Sequence, residues 1–243
     1  MGFFDVFKKN IPFEYPLKWD IHNHLAFGID DGAPDLDTAI AMAEFFVSLG
    51  YSKVTVTPHI MGDFYKNTKQ SISTPIGILK ESLLIKKIPL QIEFAAEYYV
   101  DESLFGKVQQ KEELLTFMGN KVLIETAFMS APRQFEQLVF DLLAQGYTPV
   151  FAHPERYIYL QNNYSLVETL VQSGLQFQIN LLSFSGYYSK ESKKLAEWLV
   201  DKGYYSFLGT DAHSLKQLVA LNEVYRLKIF NKINWHQVQN YYV

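Results

Sequence analysis

Five of the six histidines close short apolar runs, and the first two form an H-x-H pair in Asp20-Ile21-His22-Asn23-His24. On a strand, residues two apart point the same way, so both imidazoles of the pair face one side. The others follow in Thr57-Pro58-His59, Ala152-His153-Pro154-Glu155-Arg156 and Asp211-Ala212-His213. Carboxylates stand at matching places: Glu97 after Ala95-Ala96, Glu125 after Leu123-Ile124, and Asp30-Asp31 just past the first run. Imidazoles and carboxylates gathered at strand ends are the usual material of a metal site. The chain has no cysteine, so a thiolate can be neither ligand nor nucleophile. Taken singly, each of these residues also reads as a hydrogen-bonded core group or a helix cap. Glu125 in isolation reads as structural, and His236 lies outside any strand end and receives no role.

The elements that must position these groups alternate along the chain. Apolar, β-branched runs predict strands at 17–23, 53–58, 91–97, 121–126, 148–152, 176–181 and 204–210. They are continuous rather than alternating, as in strands buried on both faces. Helical patterns occupy 36–49, 76–87, 133–145, 164–173, 190–202 and 215–229, with a weaker segment at 101–118. Asp35 or Asp37 caps the first helix, Ala131-Pro132 opens the third, and Gly50, Gly146, Gly174 and Gly203 stop four of them. Strand–helix alternation of this kind builds a parallel sheet. No glycine-rich phosphate loop follows any strand, which favours a barrel over an open doubly wound sheet. In a barrel, all the strand ends carrying these residues meet on one face.

Bulk properties narrow the classes further. The 243 residues are 48% hydrophobic and 20% charged, enough for one full globular core. The reading is an arm at 1–16, one domain at 17–229 and a C-terminal extension at 230–243. A formal charge of −4 argues against nucleic-acid binding. No run approaches the roughly 20 apolar residues of a membrane-spanning helix. The start, Met1-Gly2-Phe3-Phe4-Asp5-Val6, has no signal-peptide core and lacks the Ser or Thr of a myristoylation motif. A cytoplasmic protein is therefore expected, with oligomeric state left open.

The ordered set DIHNH…GIDDG, TPH, AAEYY, LIE, AHPER and GTDAH, over roughly residues 17–215, resembles the polymerase-and-histidinol-phosphatase (PHP) superfamily. The likeness is greatest to the bacterial capsule and exopolysaccharide tyrosine-protein phosphatases of the CpsB/CapC type. The resemblance implies an α/β fold with a distorted seven-stranded, TIM-like (β/α) barrel holding three divalent ions, manganese first, with iron or zinc as alternatives. It places His22, His24, Glu97 and Asp211 on one ion, Glu97, Glu125 and His153 on a second, and Asp31, His59 and His213 on a third. Asp31 matches the family position better than Asp30. Arg156 in HPER would contact phosphate and serve catalysis, with Arg133 and Lys216 as further substrate contacts. Relatives often carry another arginine five residues past the last histidine, where this chain has Leu218.

The activity so implied is phosphomonoester hydrolysis, foremost of phosphotyrosine on the tail of a bacterial exopolysaccharide tyrosine kinase. Without cysteine, the nucleophile would be a metal-activated water. Tyr98, Tyr99, Phe128, Tyr157, Tyr187 and Tyr188 follow strands and could line a cleft for a phenolic ring. The alternatives are a small-metabolite phosphatase of the histidinol-phosphate type, a phosphodiesterase, or a metal-bound regulatory barrel without turnover.

Overall fold

The computed structural model describes residues 16–241, so the expected arm lies outside the described residues except for Pro16. Strands and helices alternate as the pattern predicts. The strands are β1 (Trp19–Asp20), β2 (Lys53–Val56), β3 (His59–Ile60), β4 (Gln91–Phe94), β5 (Glu97–Tyr99), β6 (Lys121–Glu125), β7 (Thr148–Ala152), β8 (Gln176–Asn180) and β9 (Phe207–Gly209). The helices are α1 (Leu36–Ser48), α2 (Lys69–Ile85), α3 (Glu102–Gln109), α4 (Phe135–Ala144), α5 (Tyr164–Gln172), α6 (Lys190–Lys202) and α7 (Leu215–Val224). Every strand pairing is parallel. One sheet runs β1-β2-β4 and the other β3-β5-β6-β7-β8-β9.

Two expected strands are each divided. The run 53–58 holds only β2, with β3 resuming beyond Thr57-Pro58, and 91–97 holds β4 and the first residue of β5, which resumes beyond Ala95-Ala96. Proline has no N–H to give a ladder, so regular pairing lapses there. The chains stay alongside through Ala95 N–H to Val56 O at 2.9 Å and Glu97 N–H to Pro58 O at 3.1 Å. Past β9, one parallel bridge sets Ala212 beside Asn23, where His24 N–H donates to Ala212 O at 3.0 Å.

The apolar runs are continuous because both strand faces are covered. In β6, Val122 and Ile124 join the large core under the helices, while Leu123 joins a smaller one with Trp19, Ile21, Val150 and Phe207. Helix termini follow local chemistry. Asp35 caps α1, accepting from Thr38 N–H at 2.8 Å. α2 starts earlier than its apolar period, because Thr68 and Ser71 form a reciprocal capping box and Pro75 is carried inside the helix. α7 ends at Val224, short of the expected 229, and a short 3₁₀ turn follows at Lys228–Asn231.

The C-terminal segment is part of this packing. Ile229, Phe230, Ile233 and Val238 lie in the large core. Buried Asn240 donates to Trp19 O and Leu208 O, each at 2.8 Å, and so ties β1 to β9. Among the described residues, no helix is long and apolar enough to cross a membrane.

Leu218 is fully buried in α7, which packs against α1. A guanidinium there would have to be desolvated without a partner. We therefore expect Leu218→Arg to destabilise the fold by about 3 kcal/mol, read as a lowered denaturant midpoint. An unchanged midpoint would show that the helix can turn this position to solvent.

Candidate metal centre

The strand ends deliver their polar side chains to one place. His22 and His24 leave β1 on the same side, with ring centroids 5.6 Å apart. Asn23 between them points away and donates to Asp20 Oδ2 at 2.8 Å and to Thr55 O at 3.2 Å. Glu97, the first residue of β5, occupies the middle. Its Oε2 lies 3.2 Å from His22 Nε2, 3.5 Å from His24 Nε2 and 3.1 Å from His59 Nδ1. Its Oε1 lies 3.2 Å from His153 Nε2. Glu125 ends β6 with Oε1 2.9 Å from His59 Nδ1. Asp211 Oδ1 lies 3.3 Å from His22 Nε2 and 3.4 Å from His24 Nε2. Asp31 Oδ1 lies 3.4 Å from His59 Nε2 and 3.5 Å from His213 Nε2.

Closeness here is not hydrogen bonding. Both Glu97 oxygens, Glu125 Oε1, Asp211 Oδ1, His22 Nε2, His24 Nε2 and His59 Nδ1 are buried without a hydrogen-bond partner. Each such group costs about 1–3 kcal/mol if left uncompensated. They converge on one another without hydrogen-bond geometry, an arrangement that suits a shared cation. Three overlapping groups, each with donor atoms within 4.8 Å, could hold one: His24, Asp31, His59 and His213; His22, Glu97, His153 and Asp211; His59, Glu97 and Glu125. Together they contain all nine residues that the sequence resemblance singled out. The division differs from the implied one, since His24 also sits with the Asp31 group and His153 with His22.

A surrounding layer fixes the ligand rings. His22 Nδ1 meets Gln178 Oε1 at 2.7 Å, and His24 Nδ1 meets Asp30 Oδ2 at 2.8 Å. With Nδ1–H donating in each, the Nε2 lone pairs face the centre. Asp30 also accepts from His59 N–H at 3.2 Å and Gly32 N–H at 3.0 Å. Gly32 must be glycine, because a Cβ would sit 2.4 Å from the Cβ of His24. His153 and Asp211 have φ of 35° and 49°, in the left-handed region. Such backbone costs on the order of 1 kcal/mol or more. It is held by His153 N–H to Gln178 O at 2.8 Å and Asp211 N–H to His22 O at 2.7 Å.

Charge follows the same geometry. Burial pulls the His22, His24 and His59 imidazoles down, but facing carboxylates outweigh it and raise all three, His59 to about 10. Burial likewise opposes the ionised form of Glu97 and Asp211, yet the surrounding imidazoles hold both well below the usual carboxylate range. His153 is lowered, by burial and then by Arg156. Burial raises Asp20 to about 6, although it accepts from Asn23, Thr210 N–H and Thr210 Oγ1.

The sequence reading passed over several supports. Gln178 and Asn180 stand two apart in β8, polar residues on one face of an apolar run, a signal that was there to use. Asn180 donates to Asp211 Oδ2 at 3.1 Å and to Tyr188 OH at 3.0 Å. Buried Glu155 accepts from Asn180 N–H and Ser183 Oγ, and burial raises it to about 7.

Above the cluster opens a cavity of about 470 Å³ whose wall includes Tyr65, Tyr99, Phe128, Met129 and Arg156. Arg156 donates to Asp211 Oδ2 at 2.6 Å and lies 4.1 Å and 4.9 Å from the Tyr188 and Phe128 ring centres. Arg133 and Lys216 are exposed and do not line this cavity. Arg133 lies in the turn before α4 and Lys216 in the first turn of α7. Of the expected aromatics, Tyr99 and Phe128 reach the wall. Tyr98 is buried with its hydroxyl on Leu115 N–H, Tyr157 with its hydroxyl on Thr126 N–H. Tyr65, which the sequence did not suggest, stacks on His59 with centroids 5.6 Å apart.

Comparison with known proteins places this geometry. The family described as "Capsular polysaccharide synthesis, CpsB/CapC" matches residues 18–226. Tyrosine-protein phosphatase YwqE of Bacillus subtilis (strain 168) is 36% identical over 201 residues, covering 81% of this chain and 78% of that protein. A solved structure from the pair YwqE of Bacillus subtilis and CpsB of Streptococcus pneumoniae, described as unique metal-dependent tyrosine phosphatases, superposes with a TM-score of 0.81 at 31% identity. It covers 92% of this chain and 90% of that one. Histidinol phosphate phosphatase from Lactococcus lactis shares the fold, with a TM-score of 0.52 at 14% identity over 86% of this chain and 92% of that one.

Two measurements follow from the centre itself. With His59 raised to about 10 in the metal-free chain, its ring carries a proton at about pH 7, and ligation must expel it. Manganese uptake should release protons, and affinity should rise with pH; calorimetry in buffers of different ionisation enthalpy reads the count. Heat independent of buffer would contradict the assigned charge. Gln178→Leu should weaken manganese binding by roughly 10- to 100-fold, since His22 loses the bond that fixes its ring.

Proposed function

The chain belongs to the CpsB/CapC family, and from that membership we propose that it is a metal-dependent phosphotyrosine-protein phosphatase. The observation that carries the reading is the set of buried donor atoms around Glu97, each lacking a hydrogen-bond partner, beneath an aromatic-walled cavity. We assign His22, His24, Asp31, His59, Glu97, Glu125, His153, Asp211 and His213 as ligands to three divalent ions, manganese first, with iron or zinc as alternatives. When bound, such ions neutralise phosphoryl oxygens, make a water nucleophilic at neutral pH and stabilise the leaving oxygen.

The chain's own groups supply the rest. Glu97, Glu125, Asp31 and Asp211 give the negative charge that gathers cations. His22 and His24 are held ring by ring through Gln178 and Asp30, so the ligand set needs little reorganisation. Arg156, fixed by Asp211 and by the faces of Tyr188 and Phe128, presents its remaining N–H donors to a phosphate in the cavity. Tyr65, Tyr99 and Phe128 offer ring faces to the phenyl group of the ester. The chain has no cysteine, so a thiol route to phosphotyrosine is closed.

Finer points belong to the same proposal. We read the two sheets as one distorted seven-stranded barrel of the PHP type. The continuity of β2 with β3 and of β4 with β5 supports this, as does the Asn23–Ala212 bridge. The proposed substrate is the tyrosine-rich tail of a bacterial exopolysaccharide kinase, met in the cytoplasm.

Manganese should stimulate phosphate release from a phosphotyrosine peptide, a chelator should abolish it, and iodoacetamide should leave it unchanged. His59→Ala and Glu97→Ala should each lower kcat by about a hundredfold or more. Loss of less than tenfold in either variant, or faster turnover of histidinol phosphate than of the peptide, would overturn the assignment.

A further inference from the structure

Exposed apolar side chains follow three of the strands whose ends form the cavity. The turn after β3 is closed by paired backbone bonds between Met61 and Tyr65, at 2.9 and 3.0 Å. It is anchored by Gly62 N–H on Asp101 Oδ2 at 2.7 Å and by Asn67 Nδ2 on His59 O at 2.9 Å. Met61 and Tyr65 line the cavity, while Phe64 at the tip is 78% exposed. A ring held out to water by so tightly fastened a turn is presented, not loosely placed. After β6, Met129 is 71% exposed, and after β7, Ile158 is 51% exposed. Ile158 N–H donates to Phe128 O at 2.8 Å, which joins these two segments.

The strands that launch these groups, β3, β6 and β7, lie in one sheet in the order β3-β5-β6-β7, where only β5 separates the first from the others. The loops after β1 and β9 instead bring the polar Asp31 and His213 to the wall. Phe64 and Ile158 therefore adjoin wall segments, through Met61 and Tyr65 and through Phe128, without lining the cavity themselves. A small phosphomonoester would fit inside about 470 Å³ and touch neither Phe64 nor Ile158. Only a substrate that extends beyond its phosphorylated ring meets them, and neighbouring exposed apolar side chains of this kind mark interaction sites.

We propose that Phe64 and Ile158 hold apolar side chains flanking phosphotyrosine in an extended polypeptide substrate. This rests on the phosphatase reading and adds a sequence preference to it. The test compares kcat/KM for three substrates: a phosphotyrosine peptide with Leu and Ile flanks, the same peptide with Ser flanks, and p-nitrophenyl phosphate. The intact chain should prefer the apolar peptide by about tenfold, the scale of one buried aliphatic side chain. Phe64→Ser with Ile158→Ser should erase that preference and leave p-nitrophenyl phosphate within about twofold; the single variants should each remove part of it. Equal turnover of the two peptides by the intact chain, or a preference that survives in the double variant, overturns the proposal and leaves the phosphatase reading standing. Should no substrate be turned over, the phosphatase reading fails, and fluorescence polarisation of the same peptides reads the rim on its own. A dimer seen by light scattering that dissociates in the double variant, with peptide preference unchanged, would assign the rim to a second copy of the chain.

Discussion

Glu97 is a carboxylate shut away from solvent, with no hydrogen-bond donor on either oxygen and four imidazole nitrogens within 3.5 Å. An ion so placed is tolerable only with positive charge beside it, because removing it from water costs several kcal/mol. In the metal-free chain, His59, raised to about 10 by the facing carboxylates, supplies such charge; in the proposed enzyme, cations take its place. Everything around the centre serves this constraint. The histidines stand at strand ends because there the segments at β1, β3 and β7 can all reach one carboxylate. The strained backbone at His153 and Asp211 turns these two residues inward where an extended residue would continue the strand.

The sheet makes such a centre affordable by burying nearly everything else. Its strands are apolar on both faces, and the two cores fix the strand ends relative to one another. Polar groups then form a second ring around the ligands: Gln178 on His22, Asp30 on His24, Asn180 on Asp211. Each uses up the ligand atom that faces outward and leaves the inward atom free. Asn240 performs a related task at the far side, where it satisfies the carbonyls of Trp19 and Leu208 and joins the first strand to the last.

Arg156 shows how one residue links the ligand layer to the cavity. Its guanidinium is bonded to Asp211 and lies against two aromatic faces, so its entropy is already spent before a phosphate arrives. Leu218, five residues past His213, is sealed in the core. Of the three cationic side chains considered for phosphate, Arg156 alone lines the cavity, with Arg133 and Lys216 away from the wall.

Much was legible in the chain alone, for a local reason. Strand periodicity and strand ends are short-range properties, so His22, His24, His59, His153 and His213 could be placed on one face without coordinates. Glu125 could not, since an acidic residue after a strand looks the same whether it caps a helix or faces a cation; the family likeness singled it out. Adjacent Asp30 and Asp31 are equivalent by spacing; the family likeness favours Asp31, and the fold gives each its place: Asp30 turns inward to His24, while Asp31, half exposed, reaches His59 and His213. Gln178 meets His22 across 156 positions, and Arg156 meets Asp211 across 55. The break at Thr57-Pro58 and the early start of α2 likewise lay beyond periodicity. By itself the sequence determined which side chains arrive at the strand ends, because alternation along a strand is set by its own backbone. Tertiary structure alone decided which of them share a cation-sized space and which hold a neighbour's ring, because those distances depend on how separate strands are registered against a common core.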